Sequence, residues 1–266
     1  MYIQHAPIGV FDSGAGGISV LRALQRELPA ENFVYYGDNL HAPYGERDEE
    51  SIRGLCEADL HFLFQQQVKA VVIACNTATS AAADYLRKKY PHTIIVGMEP
   101  AVKPAVDTAG LPRPRVLVMA TESTLAGDRL KNLIRLHEEH GEIHRLAAPG
   151  IVRLVEAGQE NSEAMTAYLQ EILAPYRSLH IDSLVLGCTH FPFAKRQIAE
   201  ALGYPVHFYD GAAGTARETR RRLAAAGLLH AEDNVGASSG WVRLFTSDPR
   251  PEALALLNRL YRLPMD

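Results

Sequence analysis

Along the chain, short apolar runs of strand length alternate with stretches whose apolar residues recur at helical spacing. The runs fall at 8–11, 32–37, 70–74, 92–97, 116–119, 144–147, 183–187, 204–209 and 241–246. Between them, the spacing predicts helices over 18–28, 48–66, 81–89, 123–139, 151–158, 161–179, 194–202, 213–225 and 251–261, with Pro175 straining or ending the sixth. Continuous apolar strands separated by helices predict α/β architecture, with parallel sheets covered on both faces. In such sheets, ligands bind off the carboxyl ends of the strands. The residues just after each apolar run therefore carry the interest.

Two of these strand ends read as copies of one device. The run ending at Ala74 is followed by Cys75, Asn76 and Thr77, and the run ending at Gly187 by Cys188, Thr189 and His190. Each Cys is placed where a buried strand stops and a helical pattern begins. The start of a helix presents unpartnered N–H groups and a partial positive charge, which favour a carboxylate and lower a nearby thiol's pKa. Two such thiols on opposite sides of a carbon acid are what a two-base racemase or epimerase requires. Either Cys alone also reads as a small buried hydrophobe. The polar residues directly after each sulfur are not needed by a plain core position. Cys56, amid Leu55, Leu60, Phe62 and Leu63, lacks them and reads as core.

Other strand tips add candidates. Asp12 and Ser13 precede a glycine-rich turn that fits neither a dinucleotide fingerprint, since Ser19 stands at the third glycine position, nor a phosphate-binding P-loop. The turn presents Asp12 and Ser13 beside backbone N–H groups, or uses Asp12 only as a cap. Pro43, Tyr44 and Gly45 form a turn whose N–H groups are available to a ligand. Thr121 stands in a run of small hydroxyl residues after 116–119. Glu156 falls near the end of an apolar helix, where an exposed surface position is the alternative. Residues 110–114, Gly-Leu-Pro-Arg-Pro, look like a connection into a second domain.

Composition narrows the class. At 266 residues, 47% hydrophobic and 22% charged, the chain has room for one large domain or two ordinary ones. A net charge of −4 implies no general affinity for nucleic acid or anionic membranes. The arginines at 217, 220, 221 and 222 read as a solvated helix face. No signal peptide or membrane span is apparent at 1–7 or elsewhere. Three widely spaced cysteines form no disulfide framework and point to a reduced, cytoplasmic setting. Cys188 and His190 lack the further ligand spacing of a zinc shell, so no metal is expected.

Taken together, several stretches resemble the cofactor-independent glutamate racemases of the aspartate/glutamate racemase family. They are residues 8–17 (Ile-Gly-Val-Phe-Asp-Ser-Gly-Ala-Gly-Gly), 36–38, 42–45 (Ala-Pro-Tyr-Gly), 74–79 (Ala-Cys-Asn-Thr-Ala-Thr), 99–104, 120–124, 149–156 and 186–192 (Leu-Gly-Cys-Thr-His-Phe-Pro). Phe191 stands where Tyr is common in the family, and Gly211 where Ser is frequent.

The resemblance implies two three-layer α/β domains related by a pseudo-twofold axis, with the active site in the cleft between them. One domain would comprise 1–98 plus 209–266 and carry Asp12 and Cys75. The other, 99–208, would carry Glu156, Cys188 and His190. It implies interconversion of L- and D-glutamate to supply peptidoglycan, without pyridoxal phosphate or any other cofactor. Cys75 would exchange the α-proton of D-glutamate, with Asp12 as its partner, and Cys188 that of L-glutamate, with His190 supported by Glu156. Ser13, Pro43, Tyr44 and Gly45 would bind the side-chain carboxylate. Asn76, Thr77, Thr121 and Thr189 would bind the α-carboxylate and amino group. A homodimer is implied. A racemase of aspartate, or a non-catalytic amino-acid-binding protein of the same fold, are the competing readings.

Overall fold

A computed structural model describes residues 3–107, 110–230 and 240–264; the first two residues of the N-terminal segment considered above and the last two of the chain lie outside them. The chain divides into two compact units, Met1–Met98 with Ala212–Pro264, and Glu99–Gly211.

The first unit opens with β1 (Ile8–Asp12), buried along its whole length, and α1 (Ile18–Glu27). It continues through β2 (Phe33–Gly37), α2 (Glu49–Gln65), β3 (Ala70–Ile73), α3 (Asn76–Lys89) and β4 (Ile94–Gly97). Helix α2 starts where the Asp48 carboxylate accepts the Ser51 N–H at 2.8 Å, a side-chain N-cap. Its buried face is Ile52, Cys56, Asp59, Leu60 and Leu63, the i, i+4, i+7, i+8, i+11 stripe of a helix lying on a sheet. Each large apolar side chain buried there contributes roughly 1.5–3 kcal/mol of transfer free energy.

The second unit runs α4 (Val102–Asp107), β5 (Arg115–Ala120), α5 (Glu122–Ala126), α6 (Asp128–Arg135), β6 (Glu142–Ala147) and α7 (Pro149–Glu156). Then come α8 (Glu163–Leu173), β7 (Ser183–Leu186), α9 (Lys195–Leu202) and β8 (His207–Asp210). The chain returns to the first unit with α10 (Ala212–Ala225), β9 (Val242–Thr246) and α11 (Pro251–Arg262).

Every strand pairing is parallel. The strand orders are β4-β3-β1-β2-β9 and β6-β5-β7-β8. Read from the other edge, the second is β8-β7-β5-β6, the order of β4-β3-β1-β2 with each strand replaced by the one four places later. Each unit thus has the same topology, and the first adds β9 at its edge. In each, the chain moves to one side of its first strand and then crosses back to the other. That reversal opens a crevice between β1 and β3, and between β5 and β7. Cys75 follows β3, and Cys188 follows the equivalent strand β7.

Several boundaries differ from the periodicity. The helix after Cys75 begins at once, at Asn76 rather than near 81, because the polar stretch 76–79 forms its first turn. The stretch 123–139 is not one helix. Gly127, in an extended conformation (φ −69°, ψ 141°), ends α5 and opens α6, which stops at Arg135. Helix α8 stops at Leu173, and the chain tightens into a 3-10 turn, Ala174–Leu179, around Pro175. After Cys188 a 3-10 turn, Phe191–Ala194, precedes α9. The second unit extends through Gly211, with β8 paired along its length with β7, ending at Leu186↔Asp210.

Candidate active site

In the first unit, Asp12 ends β1 and Cys75 follows the neighbouring strand β3, their tips held together by the Ala74 N–H donating to the Phe11 carbonyl at 2.8 Å. Asp12 is fully buried, and its Oδ1 accepts the Gly14 N–H at 3.0 Å. Ser13 bridges the two functional groups: its Oγ is 3.5 Å from Asp12 Oδ1 and 3.5 Å from Cys75 Sγ. Glycine is required at 17, since a Cβ there would stand 2.5 Å from Asp12 Cβ. The sequence turn therefore holds Asp12 against the tip of α1.

Cys75 is the N-cap of α3. Its sulfur accepts the Ala78 N–H at 3.4 Å, and the helix's fourteen residues place their positive end beside it. This N–H and this dipole both favour the thiolate. Asn76, next in line, has both amide atoms of its side chain buried without a hydrogen-bond partner among the described residues. Leaving such a group unpaired costs about 1–3 kcal/mol, which a plain structural position would not retain. Thr77, one residue further, is buried too.

The turn at 43–45 is split by burial. Pro43 and Gly45 are half-buried, whereas Tyr44 points inward at 1% exposure. Its Oη lies 2.6 Å from Asp38 Oδ2 and 3.0 Å from Asp59 Oδ2. The phenol is thus engaged inside the unit, leaving the backbone of this turn as its ligand-facing part. The 3-10 turn Tyr44–Glu46 packs on α3, the helix that Cys75 caps.

The second unit repeats the plan with different chemistry. Thr121 follows β5 and Cys188 follows β7, and the Gly187 N–H donates to the Met119 carbonyl at 2.7 Å. Thr121 caps α5, accepting the Thr124 N–H at 3.2 Å. Cys188 differs from Cys75 in one respect the sequence pattern hid: the turn after it is a four-residue 3-10 turn, so no helix dipole of useful length acts on it. Its partner is a side chain instead. His190 Nδ1 is 3.6 Å from Cys188 Sγ, and His190 Nε2 is 2.6 Å from Glu156 Oε1. Burial alone would strip the proton from this imidazole, but the contacts to Cys188 and Glu156 outweigh it and hold its pKa well above the usual histidine range. Glu156 is the last residue of α7 and is half-buried, not an open surface position. Thr189 is buried between the Cys and the His.

A match to the model of the Asp/Glu/Hydantoin racemase family extends over residues 8–219, from β1 into α10, and so takes in all of these strand tips. The chain belongs to that family. Among its relatives is the glutamate racemase of Clostridium perfringens, 48% identical over 224 residues that make up 83% of this chain and 84% of that protein. The structure of Escherichia coli glutamate racemase in complex with L-glutamate and the activator UDP-MurNAc-ala superposes with a TM-score of 0.81 at 31% identity, covering 96% of this chain and 94% of that one. That of Francisella tularensis glutamate racemase in complex with D-glutamate gives a TM-score of 0.80 at 26% identity, covering 99% and 96%. The family fold, parallel α/β sheets in each unit, is the one the alternating pattern predicted.

Two acids that no motif marks, Asp38 and Asp59, meet at the Tyr44 hydroxyl. The sequence signal for Asp59 is its position on the apolar stripe of α2, where an acid is out of place without a partner. Among the described residues, no group of three or more His, Cys, Asp or Glu is placed to hold a metal ion. Among them, too, no helix is long and apolar enough to cross a membrane.

Proposed function

We propose that this chain interconverts L- and D-glutamate in the cytoplasm by two-base proton exchange, with Cys75 and Cys188 as the bases, and so supplies D-glutamate for peptidoglycan. One observation carries the reading. The two sulfurs follow equivalent strands, β3 and β7, of two units with the same topology, with the Ser13 hydroxyl against Cys75 and His190 against Cys188. The names of the relatives supply the substrate.

The chemistry follows from the side chains. In the L-to-D direction Cys188, beside His190, acts as the thiolate and Cys75 as the thiol. Cys188 removes the α-proton of L-glutamate, and the electron pair left on the carbon accepts the Cys75 proton on the opposite face, giving D-glutamate. The enzyme is left with a Cys75 thiolate and a Cys188 thiol, the state that acts on D-glutamate. The Ala78 N–H and the α3 dipole stabilise that second thiolate, with Asp12 and Ser13 to pass its proton. Thiols suit this step because their pKa lies nearer neutrality than that of an amine or a carboxylate.

The carbanion is met by preorganised donors instead of by bulk water. The unpartnered Asn76 amide is one such donor, with Thr77, Thr121 and Thr189 beside the two cysteines for the α-carboxylate and amino group. Ser13 and the backbone at 43–45 receive the side-chain carboxylate. The acting form is a homodimer.

The test is isotope exchange. Each glutamate enantiomer is incubated with the protein in deuterium oxide, with aspartate as a parallel substrate. Antipode formation with deuterium at the α-carbon is the expected result. Binding of glutamate without exchange overturns the enzymatic reading, and faster exchange of aspartate overturns the substrate. Sedimentation at micromolar protein tests the dimer, and a monomer in the active preparation refutes it.

A further inference from the structure

The Tyr44 phenol poses a question of proton count. A phenol carries a single hydrogen, yet its oxygen is within hydrogen-bond distance of two buried carboxyl groups, Asp38 at 2.6 Å and Asp59 at 3.0 Å. If both carboxyls were ionised, one contact would set lone pair against lone pair. One of them must donate.

The surroundings say which. Asp38 faces His41, whose Nδ1 is 2.8 Å and 3.0 Å from its two oxygens, so Asp38 already has a second donor. A carboxylate only accepts, and Asp38 accepts from both sides. Among the described residues, Asp59 has neither a basic partner nor an N–H partner. It sits at 3% exposure on the buried stripe of α2, among Ile52, Cys56, Leu60 and Leu63, with Tyr44 as its hydrogen-bond partner. The chain of bonds therefore runs from the Asp59 carboxylic acid to the Tyr44 oxygen, and from the Tyr44 hydrogen to the Asp38 carboxylate.

We propose that Asp59 carries a proton in the working enzyme and is a positioning residue, fixing through Tyr44 the 43–45 turn that receives the acidic side chain of the substrate. This rests on the racemase reading above. A neutral donor is suited to the place. An ionised Asp59 would add charge to a region that holds Asp12 and Asp38 and must admit a dicarboxylate, whereas the acid holds the phenol without repelling the ligand. Burial first, then the charge of Asp38, push the Asp59 carboxyl well above the ordinary carboxylate range, and Asp12 adds to the shift. Burial first raises the Tyr44 phenol, and the charge of Asp38 adds to it, so it stays a donor. Burial first also raises Cys56 and Tyr36, with the charge of Asp38 adding to it, so both are neutral and add no charge.

Three substitutions separate this role from a purely structural one. D59A removes the donor and is expected to raise KM for glutamate about tenfold, the worth of one buried hydrogen bond, with kcat changed much less. D59N offers an N–H where the acid offers O–H, and is expected to rescue KM. Y44F is expected to raise KM like D59A, and the D59A/Y44F double substitution to add nothing to either. An infrared carbonyl band of a protonated carboxyl, lost in D59N, reads the proton directly and does not depend on turnover. The proposal is overturned if D59N fails as D59A does, if D59A leaves KM unchanged, or if D59N removes no such band. Should the wild-type protein fail to racemise glutamate, the reading of function falls while the infrared result still decides the protonation of Asp59.

Discussion

The Glu156 carboxylate reaches His190 Nε2 at 2.6 Å, from the last residue of a helix to a histidine thirty-four positions further along the chain. The opposite nitrogen of the same ring faces Cys188. One imidazole thus couples a half-buried carboxylate to a buried sulfur.

Removing the Glu156 charge should lower the His190 pKa and weaken the support His190 gives to Cys188. E156Q is expected to slow L-to-D turnover by about 10²-fold, the worth of one acid–base partner, and to leave KM nearly unchanged. Initial rates from each enantiomer would show it. Equal losses of kcat at every pH, with no displacement of the pH profile, would tell against the coupling.

The same pair makes a statement about stability. His190 is raised in the folded state, so its contribution is fully present below the ordinary histidine pKa of about 6.5 and is lost as pH rises through the raised folded value. Urea midpoints of the wild type should fall across that upper window. The H190N midpoint should be flatter there. A wild-type midpoint independent of pH in that range would contradict the raised value.

Asn76 is expected to trade stability for binding. Its amide is buried and has no hydrogen-bond partner among the described residues. N76A should therefore gain about 1 kcal/mol in urea unfolding, as the desolvated amide is removed, while kcat/KM for glutamate falls at least about tenfold. Loss of stability together with unchanged kcat/KM would show the amide to be structural.

The cysteines should prove expendable for folding. C75A and C188A are each expected to abolish racemisation and to cost no more than about 1 kcal/mol, the typical effect of a point change. Deuterium wash-in from each enantiomer would then read the half-reaction left to the remaining thiol. Full racemase activity in either variant would end the two-base scheme.

Gly17 should be intolerant of a methyl group. A Cβ there would meet Asp12 Cβ at 2.5 Å and the Tyr35 hydroxyl at 2.9 Å, both in the first unit's core. G17A is expected to destabilise by about 1–3 kcal/mol and to impair turnover through displacement of Asp12. Thermal unfolding and rate measured on the same preparation would test this, and a variant with wild-type behaviour in both would refute it.

The alternation of apolar runs with helical spacing was enough for parallel α/β architecture, because strands buried on both faces must be continuously apolar and their helices amphipathic. It was enough, too, to put Asp12, Cys75, Thr121 and Cys188 at strand tips, since each stands directly after such a run. Local pattern could not find the break at Gly127, where the spacing continues through a residue whose backbone turns extended. Nor could it tell the α-helix that caps Cys75 from the 3-10 turn after Cys188, because both follow a Cys with small polar residues. Strand order decided that the two cysteines are equivalent, and only pairing across the sheets fixes strand order. The contacts of Glu156 with His190, and of Asp59 and Asp38 with Tyr44, join residues from separate elements. Their protonation follows from burial and neighbouring charge, which the fold sets and no single stretch of sequence contains.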